Sequence, residues 1–208
     1  MLIKICGLQK PEDAAAASEM CADLLGVVFA PSKRQQSPID ARNIFAAARP
    51  HSERVGIFVN ETQDIVQEVI ELCQLDRVQF SGAESGDFCE HFGPRSIKTL
   101  RLPDDRDRFC DYTVPVFHLD TSHDTYAGGT GQSWDYSLAL EVTKKHLAIL
   151  GGGLTPTNVA KAITLAQPCG VDVSSGVETD GEKDVSKIES FISAVRTASS
   201  DHGTEACR

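Results

Sequence analysis

Residues 147–178 read LAILGGGLTPTNVAKAITLAQPCGVDVSSGVE, and this stretch decides the fold. A short apolar run and a glycine corner come first, followed by Thr155-Pro156 and apolar residues at helical spacing. A second apolar run and a second glycine corner close the stretch. Thr and Pro in that position are typical of a helix start. A strand, a helix and a strand in this order predict one right-handed βαβ unit of a parallel sheet.

The same alternation extends through the whole chain. Helical segments with recognisable starts, such as Pro11-Glu12-Asp13, or with an apolar stripe, such as Glu61–Cys73 and Val185–Val195, separate short apolar runs. There are eight such runs, at a mean spacing of about 26 residues. The runs are Leu2–Cys6, Leu24–Ala30, Arg54–Asn60, Arg77–Gly82, Ser96–Leu102, Val114–Asp120, Leu147–Gly151 and Gly170–Ser175.

Eight βα units admit either an open doubly wound sheet or a closed (β/α)8 barrel. The count of eight favours the barrel, and so does the lack of a glycine-rich dinucleotide turn after the first run. In an open sheet, polar residues would be concentrated at the one point where the strand order reverses. Here they follow many of the runs, which also favours the barrel. The sequence therefore predicts an α/β fold, a single (β/α)8 TIM barrel over residues 1–199. The charged Asp104–Asp111 predicts a vestigial fifth helix, and residues 200–208 predict a flexible tail.

Composition narrows the class of protein further. The 208 residues carry a formal charge of −10 and no cluster of basic residues, which argues against nucleic acid or a membrane surface as a partner. No apolar stretch has the length of a membrane span, and the first residues do not have the pattern of a signal peptide. Seven scattered cysteines indicate a reducing cytoplasm, and no metal-ligand spacing occurs among the six histidines. A metal site is not expected.

In a TIM barrel the active site lies at the carboxyl ends of the strands. Alternation along the first strand directs Lys4 and Cys6 into the barrel, where a thiol above an ammonium could have a lowered pKa and act as base or nucleophile. The sixth strand ends with Asp120, which could be catalytic or could pair with Lys4. His118, one layer lower, is interpreted as a core histidine with satisfied hydrogen bonds.

Two glycine corners follow the seventh and eighth strands, at Gly151–Thr155 and Ser174–Val177. Adjacent loops of this kind bind phosphate in many barrels, because glycine lets backbone N–H groups converge on an anion. Arg34, in the loop after the second strand, could bind a carboxylate or phosphate through two N–H groups. The segment Ala127–Ser133 is interpreted as a mobile lid beside Asp120.

Taken together, the motifs resemble those of the phosphoribosylanthranilate isomerase family. The resemblance runs in order from about residue 2 to residue 195, and five motifs in register make it specific. The motifs are Lys4-Ile5-Cys6-Gly7-Leu8, Gly56-Ile57-Phe58-Val59-Asn60, Leu119-Asp120-Thr121 with Gly128-Gly129-Thr130-Gly131, Gly152–Val159 and Gly170–Glu178.

The resemblance implies a (β/α)8 barrel that catalyses an Amadori rearrangement of N-(5-phosphoribosyl)anthranilate without metal or cofactor. By the family's motifs Cys6 is the general base, Asp120 is the general acid, and Arg34 contacts the anthranilate. The phosphate loops correspond to Gly152, Gly153, Ser175 and Gly176. The small phosphoribosyl substrate is then the expected partner, and the assembly stays open between a monomer and a homodimer.

Three departures from the family pattern stand out. Lys33 replaces a proline before Arg34, Ser81 replaces a histidine after the fourth strand, and Asp180 replaces a proline before the last helix. Two other functions stay open at this point. One is a Schiff-base lyase or synthase on the same barrel, with Lys98 or Lys4 as the amine. The other is a phosphosugar-binding barrel without turnover.

Overall fold

The computed structural model of the chain describes residues 1–121 and 135–202. Eight parallel strands form one closed barrel in sequential order, and the eighth pairs with the first. The predicted (β/α)8 barrel is therefore confirmed. The strands are β1 (Leu2–Cys6), β2 (Leu24–Val28), β3 (Glu53–Phe58), β4 (Arg77–Phe80), β5 (Ser96–Leu102), β6 (Val116–Thr121), β7 (Ala148–Leu150) and β8 (Gly170–Val173).

Helices cover the outside of this barrel. They are α1 (Pro11–Glu19), α2 (Pro38–Ala46), α3 (Gln63–Cys73), α4 (Gly86–His91), α5 (Leu140–Thr143), α6 (Val159–Ala166) and α7 (Val185–His202). Between β5 and β6 the chain forms only turns and a 3₁₀ segment at Phe109–Asp111. The prediction of a vestigial fifth helix is confirmed.

Several ends differ from the sequence-based expectation. Five of the eight strands stop one or two residues before the predicted end. Helix α7 continues to His202, past residue 199 where the tail was expected to begin, and its Ala198 is still buried. The first glycine after the apolar stripe is Gly203, a residue type that often follows a helix end. Residues 203–208 lie outside the described part of the chain.

The apolar residues form two layers, one inside the barrel and one between strands and helices. The interior cluster contains Cys6 and inward-facing residues of five other strands, among them Val55, Ile97 and Ile149. The outer layer takes the alternate strand positions together with one face of each helix. In α3 this face is buried and begins after Thr62, whose hydroxyl accepts a hydrogen bond from the backbone N–H of Ile65 at 3.4 Å.

A small hairpin follows the eighth strand. Residues Glu178–Thr179 (β9) pair with Glu182–Lys183 (β10) in an antiparallel arrangement. Asp180 and Gly181 connect them with φ angles of 53° and 86°. Two consecutive positive φ angles are typical of a tight hairpin turn and could not be adopted by proline. Asp180, one of the departures from the family pattern, is therefore suited to the turn that this chain forms.

Within residues 1–121 and 135–202, no helix combines the length and hydropathy that a membrane span requires. Six of the seven cysteines belong to the described residues, and all six are free thiols. Cys207 lies outside them.

Candidate active site

A cavity of about 310 Å³ opens at the carboxyl ends of the barrel strands. Six of the seven predicted site residues line it: Arg34, Asp120, Gly152, Gly153, Ser175 and Gly176. Cys6, the seventh, points into the barrel and is 8% exposed. It adjoins Lys4 and Asp172, and Asp172 lines the cavity. A cavity of about 440 Å³ also lies outside the barrel near Phe29 and Ile65, but the predicted catalytic groups are all at the strand ends.

The glycine corner after β7 lines this cavity. Gly152 and Gly153 have φ angles of 80° and 70°, which favour glycine. The Tyr136 hydroxyl donates to the Gly152 carbonyl at 3.0 Å, and the Asn158 side chain donates to the Gly153 carbonyl at 2.9 Å. These two hydrogen bonds fix the carbonyl groups of the glycine corner in place.

The second corner completes the set of backbone donors. A 3₁₀ turn, Ser175–Val177, begins directly after β8. The amide N–H groups of Gly152, Gly153, Ser175 and Gly176 have no hydrogen-bond acceptor in the part of the chain that the structure describes. Four free donors beside a cavity fit an anion with several oxygen atoms, such as phosphate.

The two corners touch at Gly176. A Cβ atom at this position would lie 1.8 Å from the Leu154 carbonyl oxygen. We therefore expect Gly176→Ala to separate the corners, to reduce the affinity for inorganic phosphate by at least about tenfold and to destabilise the fold by about 1–3 kcal/mol. Isothermal titration with phosphate and urea denaturation measure the two effects. Gly93→Ala is the control for phosphate affinity only, since Gly93 does not line the cavity and its Cβ would meet nothing within 4 Å, while its φ of 54° makes alanine strained there as well; equal phosphate affinity in both variants would contradict the expectation.

The environment of Cys6 corrects one expectation from the sequence. Burial raises the pKa of the Cys6 thiol by more than the Lys4 ammonium lowers it, so the pKa lies above its usual range. The Lys4 charge is balanced by Asp172, whose Oδ1 lies 3.2 Å from Lys4 Nζ. A neutralised ammonium stabilises a thiolate less than a free one. The predicted lowering of the Cys6 pKa was therefore wrong for this state of the protein.

Asp172 organises the barrel interior beneath the cavity. Burial works to raise the pKa of its carboxyl, but Lys4 and His118 together lower it to about 2. Asp172 Oδ2 lies 2.9 Å from His118 Nε2, and His118 Nδ1 lies 3.3 Å from the Thr99 hydroxyl. The interpretation of His118 as a core histidine with satisfied hydrogen bonds fits this geometry. The partner of Lys4 is Asp172 and not Asp120, the alternative that the sequence left open.

Asp120 lies at the cavity wall, one residue before the end of β6. Its side chain is half-buried, and Oδ1 accepts a hydrogen bond from the backbone N–H of Thr121 at 2.8 Å. This contact fixes the carboxyl at the mouth of the barrel. The predicted lid, Ala127–Ser133, lies outside the described residues.

Arg34 lines the same cavity, with Lys33 in place of the proline before it. Its Nε and Nη2 donate to the two carboxylate oxygens of Glu178 at 2.7 and 2.8 Å. Glu178 also accepts from Lys183 at 2.9 Å. Burial works to raise the pKa of Glu178, but these two cations lower it to about 2.

Sequence reasoning did not identify three of these groups as site residues. Asp172 had a usable signal, because a carboxylate inside the apolar strand Gly-Val-Asp-Val needs a buried partner. Glu178 gave no signal beyond its place in the Gly170–Glu178 motif, and Lys183 gave none, since both are ordinary surface residue types. Ser81, the remaining departure from the family pattern, forms a hydrogen bond with the Thr99 hydroxyl at 2.9 Å. Thr99 in turn contacts His118, so Ser81 belongs to the polar side chains inside the barrel.

The two lysines considered for Schiff-base chemistry are already paired. Lys98 faces the helix layer, is fully buried, and donates to Glu84 at 2.8 Å and to the Gly82 carbonyl at 2.7 Å. Lys4 is paired with Asp172. An amine nucleophile must be accessible and uncharged, so neither lysine supports the lyase alternative.

The fold and the cavity define the class of protein: a (β/α)8 barrel whose carboxyl-end site suits a small phosphorylated ligand. Residues 3–194 match the family model described as N-(5'phosphoribosyl)anthranilate (PRA) isomerase. The chain belongs to this family.

Relatives and solved structures agree with the family model. The N-(5'-phosphoribosyl)anthranilate isomerase of Desulforamulus reducens is 40% identical over 202 residues, which cover 95% of this chain and 96% of the relative. The phosphoribosyl anthranilate isomerase of Thermotoga maritima is 38% identical with a TM-score of 0.84, over 95% of this chain and 100% of that one. A structure in complex with reduced 1-(o-carboxyphenylamino)-1-deoxyribulose 5-phosphate is 36% identical with a TM-score of 0.82, at the same coverage.

Proposed function

We propose that this barrel catalyses the Amadori rearrangement of N-(5-phosphoribosyl)anthranilate, an aldose–ketose isomerisation in tryptophan biosynthesis. The product is 1-(2-carboxyphenylamino)-1-deoxyribulose 5-phosphate. The observation that carries the proposal is one cavity that brings together a carboxyl, an arginine and four free backbone donors above a buried cysteine. These groups match a substrate with a phosphate, an anthranilate carboxylate and two positions of proton transfer.

The reaction needs one proton donor and one proton acceptor. Asp120 protonates the ring oxygen of the ribose, the bond between C1 and that oxygen breaks, and a protonated Schiff base forms between C1 and the anthranilate nitrogen. Cys6 as thiolate then takes the proton from C2, and the electron pair moves to give an enolamine. Tautomerisation of the enolamine yields the ketone. The protons balance without an oxidant or reductant, so no metal or cofactor is required by this sequence of steps.

The anionic ends of the substrate determine its orientation in the cavity. The phosphate accepts hydrogen bonds from the corners at Gly152–Gly153 and Ser175–Gly176, and the carboxylate binds Arg34. Local N–H groups and one guanidinium offset the negative charge of the chain as a whole. A barrel built only for phosphosugar binding would have no use for Cys6 and Asp120 at the same mouth.

The setting of the protein is also part of the proposal. A cytoplasmic location is supported by the free thiols of the six described cysteines. The assembly is part of the proposal as either a monomer or a homodimer. Among the solved relatives is a structure of monomers of the dimeric isomerase from Thermotoga maritima.

The proposed activity is measured by the decay of anthranilate fluorescence, with phosphoribosylanthranilate generated in place. We expect the wild-type protein to accelerate the decay far beyond the spontaneous rate, and inorganic phosphate to inhibit it competitively. A folded protein that binds phosphate but leaves the decay at its background rate would overturn the proposal and would favour the binding barrel.

A further inference from the structure

Among the residues that the structure describes, the guanidinium of Arg34 makes side-chain contacts through only one of its two bidentate edges. Glu178 occupies the edge formed by Nε and Nη2. The edge formed by Nη1 and Nη2 has the same fork geometry and can bind a second carboxylate. Arg34 is 17% exposed and lines the cavity, so a ligand in the cavity can reach this side chain.

The stem of Arg34 packs against the backbone beside Cys6. A Cβ atom at Gly7 would lie 2.5 Å from Arg34 Cδ and 2.9 Å from the Ser174 hydroxyl, and Gly7 has a φ angle of 71°. Glycine at this position lets the arginine cross directly over the loop that follows the proposed base. The carboxylate-binding group and the base are therefore fixed close to each other.

Lys183 holds Glu178 from the other side. Its side chain is 2% exposed, and Nζ donates to Glu178 Oε1 at 2.9 Å and to the Ser174 carbonyl at 3.0 Å. Ser174 directly precedes the phosphate corner at Ser175–Gly176. The chain of contacts thus runs from the phosphate corner through Lys183 and Glu178 to Arg34. Two cations and one carboxylate leave a net positive charge for the substrate.

We propose that Glu178 and Lys183 are positioning residues that orient the free edge of Arg34 toward the carboxylate of the substrate. They give the isomerase its preference for an anthranilate adduct over adducts of amines without a carboxylate. This inference rests on the proposed function, and it concerns residues that touch Arg34 and not the reacting atoms. Orientation of a bidentate donor is a large part of what such a group contributes.

The test compares two substrates that differ by one carboxylate. N-(5-phosphoribosyl)anthranilate and its aniline counterpart, formed from aniline and ribose 5-phosphate, are assayed with the wild type, Glu178→Gln and Lys183→Met. We expect kcat/KM for the anthranilate adduct to fall roughly 10- to 100-fold in both variants, mainly through KM. For the aniline adduct it should fall by less than about threefold, because no carboxylate meets Arg34 there. Arg34→Met should abolish the preference.

Glu182→Gln is the matched control. It removes a carboxylate from the same hairpin, but that side chain is 64% exposed and pairs with Lys10 at the surface. Its preference for the anthranilate adduct should equal that of the wild type. Equal losses with both substrates in Glu178→Gln and Lys183→Met would mean a structural role and would overturn the inference. If either variant fails to fold, Glu178→Asp and Lys183→Arg, which keep the charges and shift the contacts, should show the same selective loss.

The two proposals fail in different ways. No turnover of either adduct by the wild type would refute the proposed function itself. Turnover by the wild type with an unchanged preference in Glu178→Gln and Lys183→Met would refute only the positioning role.

Discussion

Replacing Cys6 by serine or Asp120 by asparagine is expected to slow the isomerisation by about 10²–10⁴-fold in each case. A serine hydroxyl is a far weaker acid than a cysteine thiol, so the Cys6→Ser variant does not provide the anionic base. An asparagine amide cannot donate a proton to the ring oxygen as a carboxylic acid does. Both substitutions nearly preserve volume, so the cavity and the phosphate corners remain. The decay of anthranilate fluorescence measures the rates. Titration with inorganic phosphate tests whether the variants still bind the phosphate end of the substrate.

The same substitutions at other positions separate catalysis from general damage. Cys21 and Asp107 are exposed and do not line the cavity, so Cys21→Ser and Asp107→Asn should retain the wild-type rate. Full activity in Cys6→Ser would exclude this residue as the base.

The fold was predictable because its signals are local. Apolar runs of strand length and helical stripes such as that of Glu61–Cys73 follow from side-chain periodicity within a few residues. Alternation along Leu2–Cys6 placed Lys4 and Cys6 inside the barrel, where the structure has them. The short charged segment Asp104–Asp111 could not form an apolar helix face, and no helix covers the barrel there.

The electrostatics of the site were not predictable, because they depend on contacts between distant parts of the chain. Glu178 holds Arg34 across 144 positions, and Asp172 pairs with His118 across 54. Neither pairing follows from the spacing or type of the residues. Burial inside the barrel raises the pKa of Cys6 by more than Lys4 lowers it, and the charge of Asp172 raises it further, so the local pattern Lys4-Ile5-Cys6 indicated the wrong direction.

Removing one partner of the ion pair between Lys4 and Asp172 should be among the most destabilising single changes in this barrel. Lys4 is fully buried and Asp172 nearly so. Breaking a buried pair leaves an uncompensated charge and typically costs about 3–5 kcal/mol. We therefore expect Lys4→Met to lower the free energy of unfolding by about this amount at pH 7, as measured by urea denaturation. Lys10→Met, which removes an exposed lysine paired with Glu182, should cost about 0–1 kcal/mol.

The pH dependence of the difference in unfolding free energy between the wild type and Lys4→Met tests whether the ion pair of Lys4 and Asp172 causes it. The pKa of Asp172 in the folded protein is about 2, below its ordinary value of 3.8, so the unfolded chain takes up the proton first as the pH falls. The stabilisation by the pair is complete above about pH 5 and is lost as the pH falls toward 2. The gap between the wild type and Lys4→Met should narrow over that interval. A gap that stays constant down to pH 2 would mean that Lys4 stabilises the barrel through the packing of its alkyl chain and not through the charge of Asp172.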